Sequence, residues 1–301
     1  MQKPQMPANA AQGNASPLNA RVRAVDPAPA ASTAPRDVLL RLDGVSKSYG
    51  GAAGPATVAL QNVDLDIRRG EFMTVIGPSG CGKSTLLQIA AGLVAPTSGR
   101  VWLDGKPISG PPPEMVYLFQ QYTKSLFPWR NVRDNVAFAL ERKPMGRAER
   151  AERATAYLAM VGLADFADHY PWQLSGGMQQ RVAIARALAA VPRVLLMDEP
   201  FSAVDALTRL DLQALVLDIW QKSGDLTILF VTHDVEEAVY LSDRIAMLTQ
   251  RPSSISRIVE PNLPRPRHPV ETREDPVFLR HRHDLLATLL ARPQENQQEN
   301  H

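Results

Sequence analysis

Short, continuous apolar runs punctuate this chain. Phe72-Met73-Thr74-Val75-Ile76, Val116-Tyr117-Leu118-Phe119, Val194-Leu195-Leu196-Met197 and Thr227-Ile228-Leu229-Phe230-Val231 are each a strand's length and carry almost no polar side chain. Such runs read as strands, the first as a buried parallel one. Helical patterns lie between them: 86–91 ending near Gly92, 132–140, a charged run over 147–160, and 182–188. Val38-Leu39-Leu40-Arg41-Leu42, Val63-Asp64-Leu65-Asp66-Ile67 and Val101-Trp102-Leu103 also look like strands, and they predict a small antiparallel layer beside the main sheet. The expected fold is α/β, with a helical subdomain over about 121–175. Its charge run is most simply a solvated helix face.

Chemistry enters at the end of the first run. Residues 77–85, GPSGCGKST, fit the phosphate-loop pattern G-x-x-x-x-G-K-[ST] at every fixed position. A strand precedes them and a helix follows, so loop amides and a helix N-terminus converge on one anion. Gly77, Gly80 and Gly82 let the backbone close on a phosphate, and Pro78, Ser79, Cys81 and Thr85 complete the loop. Lys83 is placed to reach the β- and γ-phosphates, and the Ser84 hydroxyl to sit on Mg²⁺. ATP with Mg²⁺ is the expected ligand.

The run 194–197 ends in Asp198-Glu199-Pro200. A carboxylate at the end of a buried strand beside a phosphate loop is placed to hold Mg²⁺, which assigns Asp198 to the metal side. Side chains alternate along a strand, so Glu199 faces elsewhere. There it either polarises a water against the γ-phosphate or merely begins a polar loop.

The segment Leu174-Ser175-Gly176-Gly177-Met178-Gln179-Gln180-Arg181 offers a second anion site. Ser175 can cap the helix that follows, and the Gly176 and Gly177 amides open it. One chain needs one phosphate cradle per nucleotide, so a second suggests a site shared between two chains.

Composition narrows the setting. With 301 residues and 45% hydrophobic content the chain can bury one large α/β core. A net charge of +2 gives no reason to expect a nucleic-acid partner. The lone cysteine, Cys81, excludes an internal disulfide and suits a reducing compartment. No apolar stretch approaches the roughly twenty residues of a membrane span. Residues 1–36, rich in Ala, Pro, Asn and Gln, read as a disordered tail without the apolar region of a secretory signal. The domain is expected over 37–250. A Pro/Arg-rich extension, 251–301, then carries a short amphipathic helix around 278–290. His268, His281, His283 and His301 lack the spacing of a metal site.

The segment 174–181 resembles the signature motif of the ATP-binding cassette (ABC) ATPases, and the resemblance covers about 38–250. It implies a P-loop NTPase with a RecA-like core and a homodimer in which one signature covers the other chain's γ-phosphate. Met178 stands where many members carry Gln. The resemblance further implies that Tyr49 stacks on adenine and that Gln120, directly after its strand, touches Mg²⁺ and the attacking water. The loop ending at Asp205 would cross the dimer interface, and His233 would contact the γ-phosphate beside the catalytic Glu199. Leu126-Phe127-Pro128-Trp129-Arg130-Asn131-Val132 and Leu263-Pro264-Arg265-Pro266 look like the importer ATPases for nitrate, sulfonates and taurine. That implies two membrane permease subunits, an indirect solute-binding partner and a peripheral place on the cytoplasmic face of the cell membrane. Phe127 and Trp129 would be interface anchors or, equally, subdomain core. Soluble ABC ATPases acting on DNA or ribosomes typically carry a coiled-coil insertion, zinc cysteines or tandem cassettes, none of which occurs here. A non-hydrolysing regulator would not need Glu199 and His233.

Overall fold

The computed structural model describes residues 37–50 and 56–291. The expected N-terminal tail and the end of the chain, His301 included, lie outside the described residues.

The central element is β3 (Phe72–Ile76), and β7 (Val194–Asp198) and β8 (Thr227–Val231) share its character, every residue of all three being buried. Burial on both faces explains why these strands read as unbroken apolar runs. With β6 (Met115–Leu118), β9 (Arg244–Leu248) and β10 (Ile255–Val259) they form a six-stranded sheet, β10-β9-β3-β8-β7-β6. All its pairs are parallel except β9 with β10.

Alternation sorts the two faces. Met73, Val75, Leu196, Leu229 and Val231 face one apolar layer, together with α1 (Lys83–Ala90) and the inner residues of a second sheet. That sheet is antiparallel, in the order β2 (Thr57–Arg68), β1 (Val38–Tyr49), β4 (Ser98–Leu103) and β5 (Lys106–Pro107). Its first two strands run to twelve residues each, far beyond their apolar centres, so Tyr49 ends a strand. Phe72, Ile76, Leu195, Met197 and Phe230 face the other layer, which is helical.

That layer holds α2 (Val132–Ala137), α3 (Arg147–Met160), α4 (Gly176–Ala189), α5 (Ala206–Ser223) and α6 (Val235–Leu241). α2 stops short of the pattern's end at 140, because 138–140 tighten into a 3₁₀ turn. α3 buries only Ala154 and Leu158, as a solvated charged helix should. Past residue 250 the chain continues into the fold. β10 extends the main sheet, and after the short α7 (Glu271–Glu274), α8 (Pro276–Leu290) buries Phe278 and Leu285 in the helical layer.

Candidate active site

Reading the sheet from β3 outward, β8, β7 and β6 follow as neighbours. The phosphate loop leaves the end of β3, His233 follows β8, Asp198 and Glu199 end β7, and Gln120 follows β6. Four segments from distant parts of the sequence thus emerge side by side at the carboxyl edge of one parallel sheet, where α/β folds bind ligands.

The loop itself is shaped by glycine. Gly82, with φ of 112°, caps α1, and a Cβ there would lie 3.1 Å from Leu60 Cδ2. Gly80 also has positive φ, and a Cβ there would meet nothing within 4 Å, so that side of the loop opens outward. Lys83 is buried, and its Nζ donates to the Gly77 carbonyl at 3.0 Å and the Pro78 carbonyl at 3.1 Å. An ammonium whose hydrogen bonds go to loop carbonyls fits a phosphate as a ligand. Cys81 is buried, and desolvation pushes its thiol up, against thiolate chemistry there. Tyr49 is exposed, with its hydroxyl 3.5 Å from Thr85 Oγ1 and Lys47 Nζ 5.1 Å from its ring centroid. The ring therefore stands beside the loop.

Asp198 shares a strand face with Leu196, which turns it toward α1. Ser84 Oγ donates to its Oδ1 at 2.9 Å and Tyr117 Oη to its Oδ2 at 2.8 Å. Burial nevertheless raises the Asp198 pKa, against the lowering effect of both hydrogen bonds. A carboxylate and a hydroxyl 2.9 Å apart are the hard oxygen donors that suit Mg²⁺. Among the described residues no group of three or more His, Cys, Asp or Glu side chains gathers into a metal cluster. Tyr117 was missed by motif reasoning. Its signal was the register, because Tyr117 lies opposite Leu196, two residues before Asp198 and on the same face.

Glu199 leaves the strand with φ of 42°, a left-handed conformation that costs a non-glycine residue about 1–2 kcal/mol. Its Oε2 lies 2.9 Å from His233 Nδ1 and accepts from Gln120 Nε2 at 3.4 Å. Three side chains assigned to catalysis thus meet at one carboxylate oxygen.

The signature residues open a separate helix, α4. Ser175 caps α4, its Oγ accepting from Met178 N at 3.3 Å, while the Gly176 and Gly177 amides open the helix. Gly177 has a second reason to be glycine, since a Cβ would come within 2.5 Å of Thr208 Cγ2 on α5. Met178 packs partly buried on the core. Asp205 caps α5, accepting from Thr208 N at 3.0 Å, and that bond holds its carboxyl below the usual range. Ser175 therefore spends its bonds on its own helix, and the outer face of that helix start is exposed.

A family model described as ABC transporter matches residues 60–202. An uncharacterized ABC transporter ATP-binding protein of Methanocaldococcus jannaschii is 52% identical over 252 residues, which cover 84% of this chain and 91% of the relative. The chain belongs to the ABC transporter ATP-binding proteins. Another member of the family, the nitrate import ATP-binding protein NrtD of Synechococcus elongatus, is 44% identical, covering 84% of this chain and 92% of its own. Among solved structures, a dimeric ATP-binding cassette in a post-hydrolysis state, bound to ADP and Pi, matches with a TM-score of 0.65. It is 35% identical and covers 74% of this chain and 98% of that one. The fold is accordingly that of a P-loop ABC ATPase, and the family's activity is ATP hydrolysis coupled to transport.

The importer-like aromatics occupy the surface. Trp129 is 72% exposed, which removes the core reading for that residue. Phe127 is partly buried between Trp129 and Phe138, with ring centroids 5.5 and 4.8 Å away. Arg130 and Arg186 lie over its ring. Trp172, 70% exposed and stacked on Tyr170, is a further surface aromatic that no motif flagged. No helix among the described residues is long and apolar enough to cross a membrane.

Proposed function

We propose that this chain is the ATP-hydrolysing subunit of an importer, working as a homodimer on the cytoplasmic face of the membrane beneath two permease subunits. A separate binding protein would deliver the solute to those permeases. The observation that supports hydrolysis best is the meeting of His233 and Gln120 at the Glu199 carboxylate, with only β8 between its strand and the strand that leads into the phosphate loop. Backbone amides of 77–85, with Lys83, bind the triphosphate. Ser84, Asp198 and Gln120 would hold Mg²⁺, which when bound would offset negative charge on the phosphate oxygens. Glu199 accepts a proton from the attacking water, while His233 and Gln120 fix the carboxylate's position. Tyr49 stacks on the base. The exposed α4 start, with Ser175, Gly176 and Gly177, supplies donors to the partner chain's nucleotide, and Asp205 borders the crossing. A small anion such as nitrate, taurine or another sulfonate is the proposed solute, because the 44% identical relative is named for nitrate import.

Phe127 and Trp129 form the proposed permease contact, as the exposed Trp129 ring, backed by the half-buried Phe127, suits a docking anchor. Co-expressed with its permease, the chain should sediment with membranes. Trp129→Ala together with Phe127→Ala should move most of it to the soluble fraction. Equal membrane recovery with and without the permease, or recovery unaffected by the double replacement, would contradict this reading. Uptake by the assembled system, compared across nitrate, taurine and longer sulfonates, identifies the anion.

A further inference from the structure

The stretch 263–273 runs back across the helical layer, and its arginines enter the fold instead of facing water. Arg267 is 7% exposed, with Nη1 and Nη2 both 3.0 Å from the Ser242 carbonyl and Nη1 2.6 Å from that of Tyr240. These carbonyls lie at the C-terminal end of α6, so one guanidinium closes that helix end. Arg265 donates to the Leu241 carbonyl at 3.1 Å and to Asp243 at 2.9 Å. Arg273 lies over the Tyr240 ring, 3.9 Å from its centroid, and donates to Gln213 Oε1 at 2.6 Å.

The other end of α6 begins one residue after His233. Asp234 caps it, accepting from Glu236 N at 2.8 Å. Glu237, buried in the first turn, accepts from Thr232 Oγ1 at 2.6 Å and from Gln213 Nε2 at 3.1 Å. Thr232 Oγ1 in turn accepts from Asp234 N at 3.0 Å. The backbone on both sides of His233 is thus tied to α6. α6 is tied at its C-terminal end to Arg267 and, through Gln213 and Glu237, at its N-terminal end to Arg273.

We infer that 263–273 is a brace that sets the position of His233 against Glu199, with Arg267 and Arg273 as its positioning residues. The segment lies past the motifs and touches neither Glu199 nor the phosphate loop in the contacts described above. Its influence on hydrolysis runs through α6, whose N-cap, Asp234, directly follows His233. A displacement near 1 Å at a reacting group can cost on the order of a hundredfold in rate, so a loosened brace should be visible in turnover. The inference rests on the catalytic reading of His233 given above.

The test uses the purified full chain and the variants Arg273→Gln, Arg273→Lys and His233→Ala. Arg273→Gln keeps polarity but cannot span Gln213 and the Tyr240 ring. Its kcat should fall about tenfold, while ATP affinity, KM and the circular dichroism spectrum stay as in the unaltered chain. Arg273→Lys keeps the charge and part of the reach, and should recover most of the lost kcat. Should the glutamine variant fail to fold, the lysine variant decides alone, with a few-fold lower kcat at unchanged ATP affinity. Unchanged kcat in the folded Arg273 variants overturns the brace. So does a parallel loss of affinity and kcat, or a lysine variant no better than glutamine, because a merely structural role predicts those. A His233→Ala chain with full kcat breaks the underlying reading of the site, whereas an inactive His233→Ala beside a fully active Arg273→Gln breaks the brace alone.

Discussion

Asp198 sits where burial and ligand binding pull in opposite directions. Desolvation raises its pKa, so its proton is held more tightly in the folded chain than in the unfolded one. For an acid shifted this way, the favourable contribution to folding is complete below the unfolded pKa of about 3.9. It is lost as pH rises through the higher folded value. Without nucleotide, the ionised side chain therefore weakens the fold at neutral pH. Asp198→Asn, which imitates the protonated form, should raise the Tm of the nucleotide-free protein at pH 7, and the gain should vanish toward pH 4. The same variant should lose the stabilisation that Mg²⁺–ATP gives the unaltered chain. Thermal melts across pH, with and without Mg²⁺–ATP, check both halves. A lower Tm for the variant at pH 7 would show that the bonds from Ser84 and Tyr117 outweigh desolvation. Much of this residue-scale chemistry is legible in sequence, because Lys83, Ser84, Asp198 and Glu199 sit at fixed offsets from strand ends. Tyr117 was not legible in that way, since its role depends on how β6 registers against β7, a pairing across 81 positions of chain. Arg273 and Gln213, 60 positions apart, escaped for the same reason.

At the scale of elements, α4 is the part that the proposed composite site assigns to another chain. Its start is capped by Ser175 at a gain of about 1 kcal/mol, and its second turn is pinned by Gln180, which donates to the Pro200 carbonyl just past Glu199. The helix that would cover a partner's phosphate is therefore anchored to the strand end that carries its own chain's proposed catalytic carboxylate. Ser175→Arg should leave ATP binding by the monomer intact and stop hydrolysis, because the bulky cation blocks closure. Lys83→Ala should weaken ATP binding and also stop hydrolysis. A mixture of the two inactive variants assembles one site with both halves intact, so it should regain measurable turnover. Mixing them in an ATPase assay checks the arrangement; a Ser175→Arg chain active by itself, or a mixture that stays inert, would contradict a composite site. The helix start and its glycines are visible in sequence. The near contact of Gly177 with Thr208 is not, since it arises where α4 crosses α5.

Over the whole molecule, the apolar runs read as strands, the first as a buried parallel one, and the order β10-β9-β3-β8-β7-β6 explains why four separate motifs reach one edge. That order is not written in the runs themselves. Their apolar character alone does not say which strand pairs with which. The stretch past residue 250 was hardest to read because its proline and arginine content suggests solvent. Buried backbone carbonyls at the end of α6 give those guanidiniums partners inside the fold.

The central claim is that Glu199 activates water in a nucleotide site completed by a second copy of the chain. Glu199→Gln keeps the shape and one acceptor oxygen but removes the basic carboxylate. ATP and Mg²⁺ should still bind through the loop, Ser84 and Asp198. Hydrolysis should fall by about 10²–10⁴-fold, the usual range for a general base. The decisive measurement is size-exclusion chromatography of this variant with Mg²⁺–ATP, run beside its turnover assay. The account predicts a persistent dimer that the unaltered chain populates only briefly. A monomeric variant that turns over ATP within a few-fold of the unaltered chain would contradict it.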